Sequence, residues 1–393
     1  MKHRTIALVL CLCCIAALFG CSVPEEYRYI TPTEYLPWEP TDPPADKPTE
    51  PAPTQTEAPR LSARDMAEEL EVPELVAQLF LVKCPDGGAE SLLREYHVGG
   101  IVLDSNDLNG KTPNSLRSTL GDWQDYAPIP LLVAVNEEGG DCVTLSGREE
   151  FRSEPFSAPR QIYYDGSISA IRDSEAEKAK LLKSCGINVN LAPVCDVACE
   201  DSALMARRSL FQTPKTTGKA IAAMVKTMQK HQVGAVLKHF PGYGSIRLDT
   251  QDGKVTDQRE LAALESYDLL PFVYGIDAGA GAVMVSHLTV ISMDANNPAS
   301  LSEKVLHKLR GELGFRGVIL TDDLQKGAIT QNFSPEKAAI QAIQAGNDMI
   351  LTSWSEDVYD AIVAAVHSGE ISRDQLLDSA ERIIQWKMDL GLL

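Results

Sequence analysis

The sequence is short of positive charge: 36 Lys and Arg stand against 55 Asp and Glu, a formal net charge of −19. Recognition of phosphate backbones needs a positive face, so nucleic acid is excluded as a partner, and the acidity reads as a soluble, self-repelling surface. A disulfide framework is also missing. Of nine cysteines, Cys11, Cys13 and Cys14 fall in an apolar leader and Cys21 follows it, leaving Cys84, Cys142, Cys185, Cys195 and Cys199. An odd number in so long a chain is no set of staples. Cys195 and Cys199 have a spacing that suits a metal, but no second Cys or His cluster accompanies them. They read as buried thiols, and no metal or other cofactor is expected.

The apolar stretch from Ile6 to Phe19 is too short to cross a membrane comfortably, and it follows the basic residues Lys2 and Arg4. That pattern is a secretion signal. It ends in Leu18, Phe19, Gly20 and Cys21, which resembles the bacterial lipobox, where the cysteine becomes the lipidated first residue of the mature protein. An ordinary cleaved signal with a chance cysteine is the competing reading. From residue 22 to 60 the chain is dense in Pro, Thr and Glu with almost no aliphatic residues. Such a segment cannot bury a core and reads as a tether. Residues 1–20 are therefore expected to be a leader and 21–60 a linker. The protein is expected to be exported and held to the cell membrane through Cys21, with its domain outside the cytoplasm.

From Leu61 onward the pattern changes to short apolar runs separated by helical segments. Eight runs stand out: Leu75 to Lys83, Gly99 to Leu103, Leu131 to Val135, Ile187 to Val194, Ala235 to Phe240, Ala282 to His287, Gly317 to Asp323 and Asp348 to Ser353. Runs this apolar, bounded by glycine and polar residues, suit strands buried on both faces. Between them Ile221, Met224, Val225 and Met228 fall at helical spacing, and Gly186 sits like a helix C-cap before the fourth run. Eight such alternations predict an α/β domain over residues 61–393, a single (β/α)8 barrel, with a doubly wound open sheet as the alternative. A barrel collects the polar residues at the C-terminal ends of its strands around one mouth. Here those ends read NEEGG, CDV, KHFPGYG, SH and TDD.

These strand ends, with GINVNLAPVCDV, RRSLF, LGFRGVILTDDL and AGNDMI, occur in an order that resembles glycoside hydrolase family 3, in its single-domain bacterial β-N-acetylhexosaminidase branch. The resemblance covers Leu61 to Leu393. It implies a retaining glycosidase acting on glycans that contain N-acetylglucosamine, with Asp322 as the nucleophile that forms a covalent glycosyl-enzyme. Asp323 follows it, and neighbouring strand residues point to opposite faces, so only one of the pair suits the substrate. Read without the resemblance, Asp322 and Asp323 are a turn and helix-capping pair. The resemblance also makes Lys238, His239 and Arg208 sugar-binding residues. Their bland alternatives are a satisfied core histidine at 239 and a surface ion pair at 208.

The chain departs from the family's pattern at the mouth. The family's loop after the fifth strand carries an Asp-x-His acid/base pair, which corresponds to Asp249, Thr250 and Gln251. A glutamine amide donates a hydrogen bond but carries no transferable proton at neutral pH. Of the seven histidines, only His239 and His287 lie at strand ends, and both already match family positions. Asp249 acting alone would need a pKa raised by burial. The family's sugar-binding aspartate before EGG is Asn136, its downstream arginine falls at Thr144, and Arg148 or Arg152 is the nearest guanidinium that could substitute. A methionine position after the seventh strand holds Lys326. Three readings follow: a β-N-acetylhexosaminidase with impaired acid/base chemistry, a pseudoenzyme that binds glycans as a lipoprotein, and phosphorolysis in the same barrel.

Overall fold

The computed structural model describes residues 61–393; the segments expected to be a leader and a linker, with Cys21, lie outside the described residues. The strands are β1 Phe80–Lys83, β2 Gly100–Val102, β3 Leu132–Val135, β4 Glu137–Gly139, β5 Cys142–Val143, β6 Val189–Asn190, β7 Gly234–Phe240, β8 Thr256–Asp257, β9 Ala282–Val285, β10 Thr289–Val290, β11 Val318–Asp323 and β12 Met349–Thr352. Eight of them pair in the order β1, β2, β3, β6, β7, β9, β11, β12, and β12 closes onto β1. All eight barrel pairings are parallel, with Phe80 beside Ile350 and Leu81 beside Gly100 at the seam. Closure decides against the open sheet and establishes the (β/α)8 barrel. Two small additions decorate the C-terminal ends of the strands: the antiparallel β4–β5 hairpin and the β8–β10 pair.

The helical expectations hold. Ile221, Met224, Val225 and Met228 are buried on the helix Pro214–Lys230, whose start is fixed by Thr213, a side chain accepting the Thr216 N–H, and by Pro214 in the first turn. Gly186 has φ +89° just past the helix Pro159–Ser184, a left-handed position that favours glycine.

Two of the eight runs are corrected. The first, Leu75 to Lys83, is only half strand: Val72–Gln78 is a helix with a capping box between Glu71 and Glu74, and Phe80–Lys83 alone joins the sheet. Leu75, Val76 and Leu79 are buried at helical spacing, and a continuous apolar run does not distinguish a buried helix turn from a strand. The fourth, Ile187 to Val194, pairs regularly only at Val189–Asn190, with a single further bridge from Val194 to Lys238. Pro193 has no N–H to give the ladder. Cys195 is buried as expected, whereas Cys199 is exposed, its Sγ 2.8 Å from Ser245 Oγ.

The last helix, Arg373–Asp389, packs on the helices Ala63–Glu68 and Val72–Gln78. Its Trp386 lies so close under the sheet that a Cβ on Gly281 would meet the indole Nε1 at 2.1 Å. Beside it Lys387 is fully buried, donating to Gln78 Oε1 at 2.7 Å, and burial lowers its pKa to about 7. The unfolded chain binds this proton more tightly, so the group costs stability fully below the folded pKa and progressively less as pH rises toward the ordinary lysine range. In urea titrations the parent is expected to gain about 2 kcal/mol relative to Lys387→Met between about pH 7 and about pH 9. Equal changes in the two proteins would show that the ammonium is compensated by groups other than Gln78.

Candidate active site

The β4–β5 hairpin organises one side of the mouth. Glu137 is buried and accepts the backbone N–H groups of Thr144 at 2.9 Å and Leu145 at 2.7 Å, while its backbone N–H donates to Asn190 at 2.9 Å. This wraps the turn around one carboxylate and aims the next, Glu138, inward. Glu138 takes a bidentate pair from Arg208, Nε to Oε2 at 2.9 Å and a terminal nitrogen to Oε1 at 2.6 Å, and it also receives Lys238 Nζ at 2.6 Å. Burial pushes the Glu138 carboxyl up, but the two cations outweigh it and hold the group well below the usual carboxylate range. Lys178 Nζ donates to its carbonyl from behind at 3.0 Å.

That carboxylate is the organiser that reading the sequence missed. The resemblance makes Lys238 and Arg208 sugar-binding residues, but two cations gathered at one mouth need a buried counter-charge, and NEEGG supplies it. Lys238 spends its second donor on Asn136 Oδ1 at 2.8 Å, leaving one N–H without a partner among the described residues. Because that bond fixes the amide oxygen of Asn136, its NH2 is presented as a donor. The ion pair considered for Arg208 exists, although its partner is the buried Glu138 rather than a surface group.

His239, at the end of β7, places Nδ1 2.7 Å from Asp196 Oδ2, and the second oxygen of Asp196 accepts the Tyr243 N–H at 2.8 Å. An ionised carboxylate only accepts, so Nδ1 carries the hydrogen. Burial keeps the imidazole below its ordinary pKa and therefore neutral, with Nε2 as an acceptor. His287 is committed on both nitrogens, to Ser300 Oγ at 2.7 Å and the Asp323 carbonyl at 2.8 Å.

At the end of β11 the paired aspartates divide the work. Asp323 accepts the Gln325 N–H at 2.9 Å, a turn contact, and meets Lys83 at 3.2 Å. Asp322 is buried; its Oδ1 accepts the Asp323 N–H at 2.8 Å and its Oδ2 accepts Lys326 Nζ at 2.7 Å. Burial raises the Asp322 carboxyl, but the charge and hydrogen bond of Lys326 outweigh it and hold the group ionised. Burial likewise lowers Lys326, and Asp322 with Asp249 more than restores it.

The loop after β7 is docked across this strand end. The carbonyls of Thr250 and Gln251 accept the N–H groups of Ala328 and Gly327, each at 2.9 Å. The approach requires glycine, since a Cβ at 327 would stand 2.6 Å from the Gln251 carbonyl oxygen. Thr250 is also bonded from beneath by the buried Tyr243 hydroxyl at 2.8 Å. Asp249 spends Oδ1 on the Gln251 N–H at 2.8 Å, and Gln251 itself is exposed. Thr144, Arg148 and Arg152 do not rebuild the missing guanidinium. Thr144 is buried and donates to the Asn136 carbonyl at 3.0 Å, Arg148 reaches Ser105 and Asn109, and Arg152 pairs with Glu177 at 3.3 Å.

Barrel closure and the strand-end cluster together define an enzyme of the (β/α)8 type, with Asp322, Lys326, Glu138, Lys238, Arg208 and His239 gathered at its C-terminal mouth. The chain belongs to a specific family of this type: the glycosyl hydrolase family 3 N-terminal domain matches residues 70–386. It is 34% identical over 274 residues to a β-hexosaminidase of Nitrosomonas eutropha, covering 68% of this chain and 77% of that one. The structure of Mycobacterium tuberculosis LpqI aligns with a TM-score of 0.77 at 28% identity, covering 83% of this chain and 96% of the other. A family 3 β-N-acetylglucosaminidase from a Paenibacillus strain aligns with a TM-score of 0.76 at 29% identity; 82% of this chain is covered, which spans 63% of that longer protein.

Proposed function

We propose that the protein is a retaining β-N-acetylhexosaminidase that removes terminal N-acetylglucosamine from cell-wall or other glycans, with Asp322 as nucleophile. The observation that carries this reading is the state of Asp322: a buried carboxylate held ionised and oriented through Oδ1 at the end of a barrel strand. The remaining donor of Lys238, the amide of Asn136, the guanidinium of Arg208 and the acceptor Nε2 of His239 supply mixed hydrogen-bonding partners for sugar hydroxyls and an acetamido group. The similar proteins named as β-hexosaminidases and β-N-acetylglucosaminidases support the same substrate class. The test is release of phenol from an activated aryl β-N-acetylglucosaminide, with the first sugar product in the β configuration by NMR.

A second reading is favoured by one feature, the exposed Gln251 where the family carries its proton carrier. In it the protein binds the same sugars without turnover. Silence toward the aryl glycoside, combined with calorimetric binding of N-acetylglucosamine, is its expected signature. In both readings we propose an exported lipoprotein anchored through Cys21, on the strength of the leader and the sequence that precedes Cys21. Labelled fatty acid is expected to enter the parent and not Cys21→Ser; equal labelling would move the anchor elsewhere.

A further inference from the structure

Two of the residues that depart from the family's pattern at the mouth, Gln251 and Lys326, flank one hydrogen-bonded junction. The Gln251 carbonyl accepts the N–H of Gly327, the residue after Lys326, and the Thr250 carbonyl accepts that of Ala328. Lys326 itself is held by its N–H to the Asp323 carbonyl at 3.0 Å, and its ammonium lies 2.7 Å from Asp322 Oδ2, the oxygen that the backbone leaves unused. We propose that Lys326 is a catalytic cation that stabilises Asp322 as the leaving group of the glycosyl-enzyme, and that it offsets the loss of the base at position 251. The proposal rests on the retaining reading above.

Bond changes show why the two positions are linked. In the first step an Oδ2 electron pair bonds to the anomeric carbon, and the departing oxygen leaves with the pair of the broken bond; a phenolate needs no proton. In the second, a water oxygen bonds to that carbon, the bond to Oδ2 breaks, its pair returns to Asp322 and the water's proton passes to solvent. Water is the nucleophile whatever the substrate, so a missing base slows this step for every glycan. A cation on Oδ2 makes the carboxylate a better leaving group there, at some expense to its nucleophilicity in the first step. Lys326 keeps its proton throughout. It cannot serve the departing oxygen, because a displacement puts that oxygen on the opposite face of the sugar from Oδ2.

The test uses the purified protein as parent, Lys326→Met, Gln251→His and the double variant, on the activated aryl β-N-acetylglucosaminide. In Lys326→Met, kcat is expected to fall about 10- to 100-fold, the scale of one charge-assisted hydrogen bond, with KM falling alongside so that kcat/KM holds or rises. A burst of one equivalent of phenol and a sugar adduct on the Asp322 peptide are expected to accompany it. Gln251→His is expected to restore kcat more in this background than in the parent, azide is expected to restore it as well, and Lys326→Arg is expected to behave as the parent. A fall in kcat/KM without a burst, or an additive cycle, overturns the role of Lys326 while leaving the glycosidase reading intact. Silence of all five proteins overturns both.

Discussion

Asp322→Asn is expected to abolish release of phenol from an aryl β-N-acetylglucosaminide, a loss on the order of 10⁴-fold or more, while binding of N-acetylglucosamine survives. The amide has the shape of the carboxylate and can still accept the Asp323 N–H, but it offers no charged oxygen to the anomeric carbon. The same substitution leaves Lys326 half-enclosed without its carboxylate partner. Removing one member of a buried pair costs about 3–5 kcal/mol, so loss of activity alone would be ambiguous. Adding Lys326→Met removes the stranded cation and is expected to return the unfolding midpoint toward that of the parent, with activity still absent. If the double variant regains both, Asp322 acts through structure; if it regains only stability, the carboxylate is the nucleophile. Appreciable turnover by Asp322→Asn would sink the retaining reading outright.

The barrel was legible because its strands are buried on both faces and therefore written as unbroken apolar runs. The same property misled at Leu75, Val76 and Leu79, where a helix turn packed on the core has no polar face to betray its period. The mouth was legible only where a motif named the residue. Glu138 stood in a motif without a role, since its role is to neutralise Lys238 and Arg208, which are distant in the sequence and meet only on closure. Lys326 was visible as an oddity. That its ammonium lands on Asp322 depends on the tight turn from Asp323, a conformation the letters do not state. The opposite holds for Arg148 and Arg152, which the sequence left near the mouth and the fold commits to Asn109 and Glu177.

Gln251→His is expected to divide substrates by their leaving groups. The docked loop is held by backbone carbonyls of residues 250 and 251 and by the Tyr243 hydroxyl on Thr250, none of which involves the side chain at 251. Gln251 is exposed, so an imidazole enters without displacing packed atoms. For an activated aryl glycoside the first step needs no acid, and kcat/KM, which reports that step, is expected to stay close to the parent's value. For a disaccharide the departing alkoxide must be protonated, and kcat/KM is expected to rise about 10²- to 10⁴-fold, with a dependence on pH centred near the ordinary histidine pKa of about 6.5. The Asp249 oxygen not engaged by the backbone N–H of residue 251 is then available to orient the new ring. Asp249→Ala in the histidine background should therefore lose much of the gain while changing the parent little. A disaccharide rate unmoved by Gln251→His would mean that this backbone does not bring position 251 to the glycosidic oxygen, and the site's proton would have to come from water alone.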